Sequence, residues 1–401
     1  MGWIDANVDC DATGGAGYGY TDEEWMLKQT LREYCETEWK PRWQELYKPE
    51  TQYAAYHEFL AKLGEMDVLR LFVPKELGGL DMRMTTMMVA IEEVARVCGG
   101  VSIHVMEQQQ YAKSMSRIAP AAFEKWGAGV LDGTILLAGS SCSPEGQANY
   151  SEIAPIGKYD EAAGEWVLNG AKAYSSGGAI CDLVRIMGFD DEKTMYHWYM
   201  DPNDTPGLKR GAFEELGCSP SASWSMDNVR VPKEMGGICP VFVKGEMAPE
   251  GFDAFSMAVS AMSLGCMAAA LDETIEYLKV RTKNFKPIAT IPSIQYKLAE
   301  LKARVEACRS FVIKATDLIE HNHTDAVLYS RIVKGYVCDQ ARYVCEECIQ
   351  MWGAVGYDNN TGISRHLWDS IGFGIGCSTT DLQYRQAAYD MDLPEAERVL
   401  P

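Results

Sequence analysis

A mostly helical α+β fold is what this sequence predicts, with helices over residues 1–133, a small antiparallel β unit over 134–247 and a four-helix bundle over 248–401. Three observations predict it. Apolar residues recur at helical spacing in the first and last parts of the chain. Short β-type runs divided by Gly, Asn and Asp fill the middle. No strand–helix–strand alternation occurs, which speaks against a dinucleotide-binding Rossmann domain despite the glycines.

The elements follow in order. In "TDEEWMLKQTLREYCETEWKPRW", Trp25, Leu27, Leu31 and Tyr34 fall at helical spacing. Asp22, Glu23 and Glu24 sit where the positive end of a helix favours acids. "LFVPKELGGLDM" breaks the pattern with Pro74 and Gly78-Gly79, a turn between helices, and "TTMMVAIEEVARVC" resumes a helix. From about residue 134, "TILLAGSSCS", "EWVLNGAKAYSSG", "DLVRIMGF" and "YHWYM" read as short strands. Amphipathic stretches at 252–283, 292–320, 324–352 and from about 379 then read as an up-down bundle, with "HNH" (321–323) as a turn between two of its helices. No internal repeat or low-complexity segment interrupts this order.

Composition narrows the function. The chain has 401 residues, enough for two or three packed units, and a net charge of −20. Such a field repels nucleic acid and anionic membrane surfaces, while leaving room for an anionic small ligand in a locally basic groove. Thirteen cysteines without a framework spacing, and no signal peptide, lead us to expect a reduced, cytoplasmic protein. No apolar run is expected to reach the ~20 residues of a membrane span. "CEEC" (345–348) has metal-like spacing but no second ligand pair, so it is read as helix packing, and no metal site is expected.

One stretch stands apart. "GFGIGCSTTDLQYR" (372–385) reads as a glycine-rich loop, through Gly372, Gly374 and Gly376, that delivers Cys377 to a helix start capped by Ser378 or Thr379. A thiol there suits a nucleophile, a metal ligand, a phosphate-cradling turn or a filled space.

The chain resembles the acyl-CoA dehydrogenase family over nearly its whole length. The resemblance is carried by "VPKELGGL" (73–80), "WVLNGAKAYSSGG" (166–178), "PGL" (206–208), "LGCSPSASWSMDNVRVP" (216–232), "ALDETIEYLKVR" (270–281), "SIQYKLAEL" (293–301) and "IQMWGAVGY" (349–357). It implies a middle β-barrel between the helical domain and the bundle, and FAD bound between barrel and bundle with a neighbouring subunit closing the site. It also implies an acyl-CoA substrate, an electron-transferring flavoprotein as redox partner, and a homotetramer or a heteromer with a paralogue. The implied chemistry moves hydrogen across the α,β carbons of a CoA thioester: a base takes the α-proton, flavin N5 takes the β-hydride, and hydrogen bonds polarise the carbonyl.

By the same resemblance, Ser176 matches the residue that hydrogen-bonds flavin N5 and Tyr174 the aromatic beside the ring. Cys142 falls at the pyrimidine edge, and Thr379 belongs with the cofactor-binding residues. Arg281, Gln350, Gly353 and Gly356 match positions that reach the partner subunit's FAD, and guanidinium suits a diphosphate. Asp253, Gln108 and Gly376 are placed with the substrate.

The departures are equally specific. The family's base glutamate aligns with Cys377, and the alternative base slot is Phe255. A phosphate-binding serine becomes Ala148, and the arginine of the CoA-contacting pair becomes Ser256. Cys377 as a thiolate or Glu107 in "HVMEQQQ" (104–110) is the replacement base to consider, and His104, Glu107 and Gln108 would make the acyl pocket polar. The other reading of that run is a solvated helix face. Three functions stay open: an FAD-dependent dehydrogenase or enoyl-CoA reductase for a polar or cyclic acyl group; a non-catalytic subunit of a heteromeric relative; and a thiol-dependent acyl-CoA hydrolase or transferase with Cys377 as nucleophile and a spatial partner such as His366.

Overall fold

The computed structural model describes residues 18–144, 153–243, 246–247, 253–391 and 393. Ten helices succeed one another among them: α1 (Asp22–Tyr34), α2 (Pro49–Glu65), α3 (Met84–Ala95), α4 (Gly99–Ile118), α5 (Pro120–Leu131), α6 (Asp253–Val280), α7 (Pro292–Glu320), α8 (Ala326–Trp352), α9 (Ser364–Ile375) and α10 (Thr380–Asp390). The strands lie between α5 and α6, apart from one short hairpin. They are β1 (Leu137–Ser140), β2 (Gly157–Asp160), β3 (Glu165–Ser175), β4 (Leu183–Phe189), β5 (Met195–Met200), β6 (Leu208–Ala212), β7 (Ala222–Pro232), β8 (Gly236–Ile238), β9 (Phe242–Val243) and β10 (Glu246–Met247). The hairpin after α6 pairs β11 (Thr282–Lys283) with β12 (Lys286–Pro287). Its two turn residues, Asn284 and Phe285, are both left-handed, at φ 52° and 66°.

The chain divides into two compact units. One comprises residues 1–43, 84–99 and 252–401; the other comprises 44–83 and 100–251. The first therefore joins α1 and α3 to the bundle, and the second joins α2, most of α4, and α5 to the strands.

In the bundle unit, α6 packs against α3, α7, α8 and α9. By length and composition α6 does satisfy the criterion for a membrane span, contrary to the expectation that no run would. Its apolar window is 89% buried in the structure, which is why it is apolar all round. The α1 helix starts as expected, with a capping box between Thr21 and Glu24. Its buried face is not the aromatic one, however. Glu24, Lys28 and Leu31 point inward, because Lys28 lies 3.1 Å from Glu92 and also contacts Glu93 on α3. The "HNH" segment does separate α7 from α8.

In the strand unit, the expected antiparallel barrel is replaced by two open four-stranded sheets, in the orders β1-β4-β5-β8 and β2-β3-β7-β6. Closure requires every strand to be paired on both sides, and each sheet here ends on two edge strands. One pairing is also parallel: β1 runs beside β4, with Leu137 opposite Leu183 and Ser140 opposite Ile186. The chain leaves β1 to build β2 and β3 in the other sheet before it returns, so β1 and β4 arrive in the same direction.

Candidate cofactor and substrate site

The strand unit assembles one group of expected residues. The Ala173 N–H donates to the Cys142 carbonyl at 2.9 Å, which places Cys142 one residue from Tyr174 across the backbone. Ser175 faces inward and its hydroxyl donates to the Gly139 carbonyl at 2.9 Å; Ser176, next in the chain, is half-buried. Tyr174 is 60% exposed and stacks on Phe213, with ring centroids 4.6 Å apart. Burial raises the Cys142 thiol pKa, against the opposing pull of the Lys172 ammonium. Lys172 itself donates to Ser143 Oγ at 3.0 Å and to the Ser141 carbonyl at 3.3 Å.

The "HVMEQQQ" run is not a solvated face. His104, Glu107 and Gln108 are all buried on α4. Glu107 Oε1 accepts from the Tyr111 hydroxyl at 2.9 Å, and Oε2 lies 3.3 Å from His104 Nδ1. Gln108 Oε1 accepts from the Leu137 N–H of β1 at 3.4 Å. His104 packs directly on the turn that follows Ser176: a Cβ at Gly177, whose φ is +69°, would meet the imidazole at 2.5 Å. Spacings of three, four and seven along α4 thus aim one polar stripe at β1 and at the Ser176 turn.

The bundle unit holds the other group. The glycine-rich stretch is less of a loop than its composition suggests, because α9 runs through Gly372 and Gly374 to Ile375. Only Gly376 to Thr379 connects it to α10, with Cys377 and Ser378 both left-handed at φ 51° and 72°. Cys377 is exposed. The loop is held from behind: Lys334 donates to the Ser378 carbonyl and, at 3.3 Å, to that of Gly374, and Gln383 donates to the Cys377 carbonyl at 3.0 Å. Thr379 is the N-cap of α10 and accepts from the Leu382 N–H at 3.3 Å. Burial lowers the Lys334 pKa.

Arg281 is exposed just beyond α6, and Gln350 is exposed near the end of α8. Gly353, at φ 64°, ends α8, and Gly356 is buried in the short turn that follows. Asp253 is the first residue of α6, while Ala148 lies outside the described residues. Cys345 and Cys348 are buried along α8. His366 is committed elsewhere, with Nε2 3.3 Å from Glu273 Oε2; burial and the neighbouring Arg365 bring its pKa down to about 4.

Sequence reasoning missed Phe213, Arg185 and Lys334. A lone charge inside an apolar run ("DLVRIMGF", "RIVKGYVC") was the available signal for the last two. Phe213 carried none.

A helical start, strand-built middle and long-helix bundle, with Ser176 in the turn after β3 and Cys377 on the loop between α9 and α10, follow the element order that the resemblance implied. The chain belongs to the acyl-CoA dehydrogenase family, a family of oxidoreductases acting on CH–CH groups. Models of the acyl-CoA dehydrogenase N-terminal and C-terminal domains match residues 21–124 and 245–391. Among relatives, it is 25% identical over 90% of its length to the probable acyl-CoA dehydrogenase YngJ of Bacillus subtilis, covering 96% of that protein. It is 26% identical to the cyclohex-1-ene-1-carbonyl-CoA dehydrogenase of Syntrophus aciditrophicus, over 86% of this chain and 84% of that one. The fold matches a glutaryl-CoA dehydrogenase from Mycobacterium smegmatis, solved in complex with FADH2, with a TM-score of 0.82, 17% identity and coverage of 94% and 97%.

Proposed function

We propose that this protein is an FAD-dependent oxidoreductase acting on the α,β C–C bond of an acyl-CoA thioester with a polar or cyclic acyl group, as dehydrogenase or enoyl-CoA reductase. The observation that carries it is the grouping of Cys142, Tyr174 and half-buried Ser176 in one unit. These residues fit a flavin: an exposed aromatic stack beside the ring, a hydroxyl for N5 and polar groups for the pyrimidine edge. FAD, when bound, accepts the hydride. The chain's own residues hold and orient it: Ser176 and Tyr174 at the ring, Cys142 and Thr379 around it, and Arg281, Gln350, Gly353 and Gly356 toward the cofactor of a second copy.

The buried polar stripe of His104, Glu107 and Gln108 favours a polar or cyclic acyl group over a long alkyl chain. Asp253 and Gly376 attend the thioester, and the Cys377 N–H polarises its carbonyl. Electrons leave to an electron-transferring flavoprotein. The protein is cytoplasmic and works as a homotetramer or as a heteromer with a paralogue; helical, strand and bundle domains over 1–133, 134–247 and 248–401 describe its organisation.

A second reading, a non-catalytic partner subunit, is favoured by the absence of a carboxylate at Cys377 and Phe255. The thiol-nucleophile reading is weakened by the engagement of His366 with Glu273. Colour separates the first two. Purified protein should be yellow and should bleach anaerobically with a cyclic or polar acyl-CoA. Colourless protein that co-purifies with a paralogue would support the second reading instead.

A further inference from the structure

Four arginines are buried among the described residues: Arg96, Arg185, Arg309 and Arg365. Three of them face carboxylates. Arg96 lies 2.7 Å from Asp272, Arg309 2.8 Å from Glu92 and Arg365 2.6 Å from Glu273. Arg185 differs. Its Nη2 donates to Ser141 Oγ at 2.9 Å, and among the described residues its Nε has no partner and no carboxylate pairs with it. Arginine does not shed its proton inside proteins, so the charge stays. Leaving a cation buried without a counter-charge carries a desolvation penalty that the fold must offset elsewhere.

The surroundings make this positive charge specific in place. Arg185 on β4 stands opposite Gly139 of β1 and Tyr199 of β5. Its guanidinium stacks on the Tyr111 ring of α4, 4.0 Å from the centroid. Gly139 keeps that space open, since a Cβ there would meet the Tyr111 hydroxyl. The nearby His197 adds no negative charge: burial, and then Arg185 itself, push its pKa well below the ordinary value and keep it neutral. A second buried cation, Lys172, reaches the same segment, donating to Ser143 Oγ and to the Ser141 carbonyl. Both cations therefore converge on Ser141–Ser143, the segment that carries Cys142 and is joined to the strand bearing Tyr174.

We propose that Arg185 is an electrostatic positioning residue of the flavin site, fixing Ser141 and supplying the positive charge that favours the reduced, anionic cofactor. The inference rests on the FAD reading above and deepens it. Transfer of a hydride from the acyl β-carbon delivers two electrons and one proton to N5. With FAD bound, that transfer would add one negative charge, spread over the pyrimidine edge to which the reading above assigns Cys142. A guanidinium that pairs with no carboxylate among the described residues lowers the free energy of that state and leaves the oxidised state almost untouched.

The test is a redox titration of FAD-loaded protein with dithionite against a reference dye, for wild type, Arg185→Met and Arg185→Lys. At a fixed potential, Arg185→Met should hold a reduced-to-oxidised ratio about tenfold below wild type, about 30 mV for a two-electron couple. Arg185→Lys keeps the charge and should recover most of that difference, which a merely structural role would not produce. Where Arg185→Met does not fold, Arg185→Gln gives the same reading. An unmoved midpoint in either neutral variant overturns the inference, as does an Arg185→Lys midpoint as low as theirs. Wild-type protein that takes up no FAD overturns the inference together with the reading beneath it. Loaded flavin with an unmoved midpoint overturns this inference alone.

Discussion

His57 Nε2 lies 2.8 Å from Asp182 Oδ2, while its Nδ1 lies 2.8 Å from the Tyr53 carbonyl oxygen. Both partners accept, so only the imidazolium, with two N–H donors, satisfies both. Tyr53 stacks on the ring at 4.2 Å, and Asp182 also takes the Leu136 N–H at 2.8 Å. The pair thus ties α2 to the segments that enter β1 and β4.

This arrangement predicts a pH-dependent contribution to stability. Burial works against the cation, but the Asp182 hydrogen bond and the Tyr53 carbonyl outweigh it and raise the His57 pKa. A raised folded value means stability that is full below the ordinary histidine pKa of about 6.5 and lost as pH rises through the folded value. His57→Gln should therefore cost about 0.2–1 kcal/mol under mildly acidic conditions, the range for a partly exposed pair, and little at alkaline pH. Urea unfolding on both sides of the transition reads this. An equal penalty at both would remove the imidazolium as its source.

Glu92 is the centre of a buried network, 3.1 Å from Lys28 and 2.8 Å from Arg309. Burial alone would raise its pKa, but Arg309 and Lys28 hold it well below the usual carboxylate range. Its contribution is present above the unfolded value of about 4.3 and is lost as pH falls through the depressed folded value. Glu92→Gln leaves two buried cations short of charge and should cost about 3–5 kcal/mol. Glu93 and Glu306 remain to Lys28 and Arg309, so the lower end is expected. A denaturant midpoint within error of wild type would contradict the network's role.

Cys377 is proposed to shape the pocket for a bulky acyl group without serving as the base. Cys377→Ser should then leave the rate of flavin reduction nearly intact. If Glu107 is the base, Glu107→Gln should slow it by about 10²–10⁴-fold. Stopped-flow absorbance measures both, and a large loss in Cys377→Ser alone would prove the assignment wrong.

Ser176→Ala should shift the flavin absorption spectrum or midpoint potential in fully loaded protein, through loss of the hydroxyl proposed to bond N5. Gly177→Ala should perturb the same readouts by another route, because its left-handed backbone and its contact with His104 both resist a Cβ. A holoprotein spectrum unchanged in Ser176→Ala would count against the placement of that hydroxyl.

Much of this was legible along the chain. The amphipathic stretches at 292–320 and 324–352 correspond to α7 and α8 within a few residues. Periodicity is a local property, so a local reading recovers it. The α9 helix was not legible, because three glycines in five residues outweigh helical spacing in a local reading, whereas Asp369 accepting from the Gly99 N–H anchors that segment in the fold. The inward face of α1 was not legible either. Its Lys28 and Glu24 look solvated until Glu92, Glu93 and Thr86, more than sixty residues on, arrive to receive them.

The sequence by itself determined the order of helices, strands and helices and the family to which the chain belongs. Tertiary structure alone decided that "HVMEQQQ" is buried, that β1 pairs with β4 in an open sheet, and that Arg185, among the described residues, is the buried arginine that pairs with no carboxylate. The reason is physical. Helical and strand periods, caps and turns are set by neighbours in the chain. Burial, charge compensation and sheet closure depend on which distant segments meet, and no local pattern encodes the partner that fails to arrive.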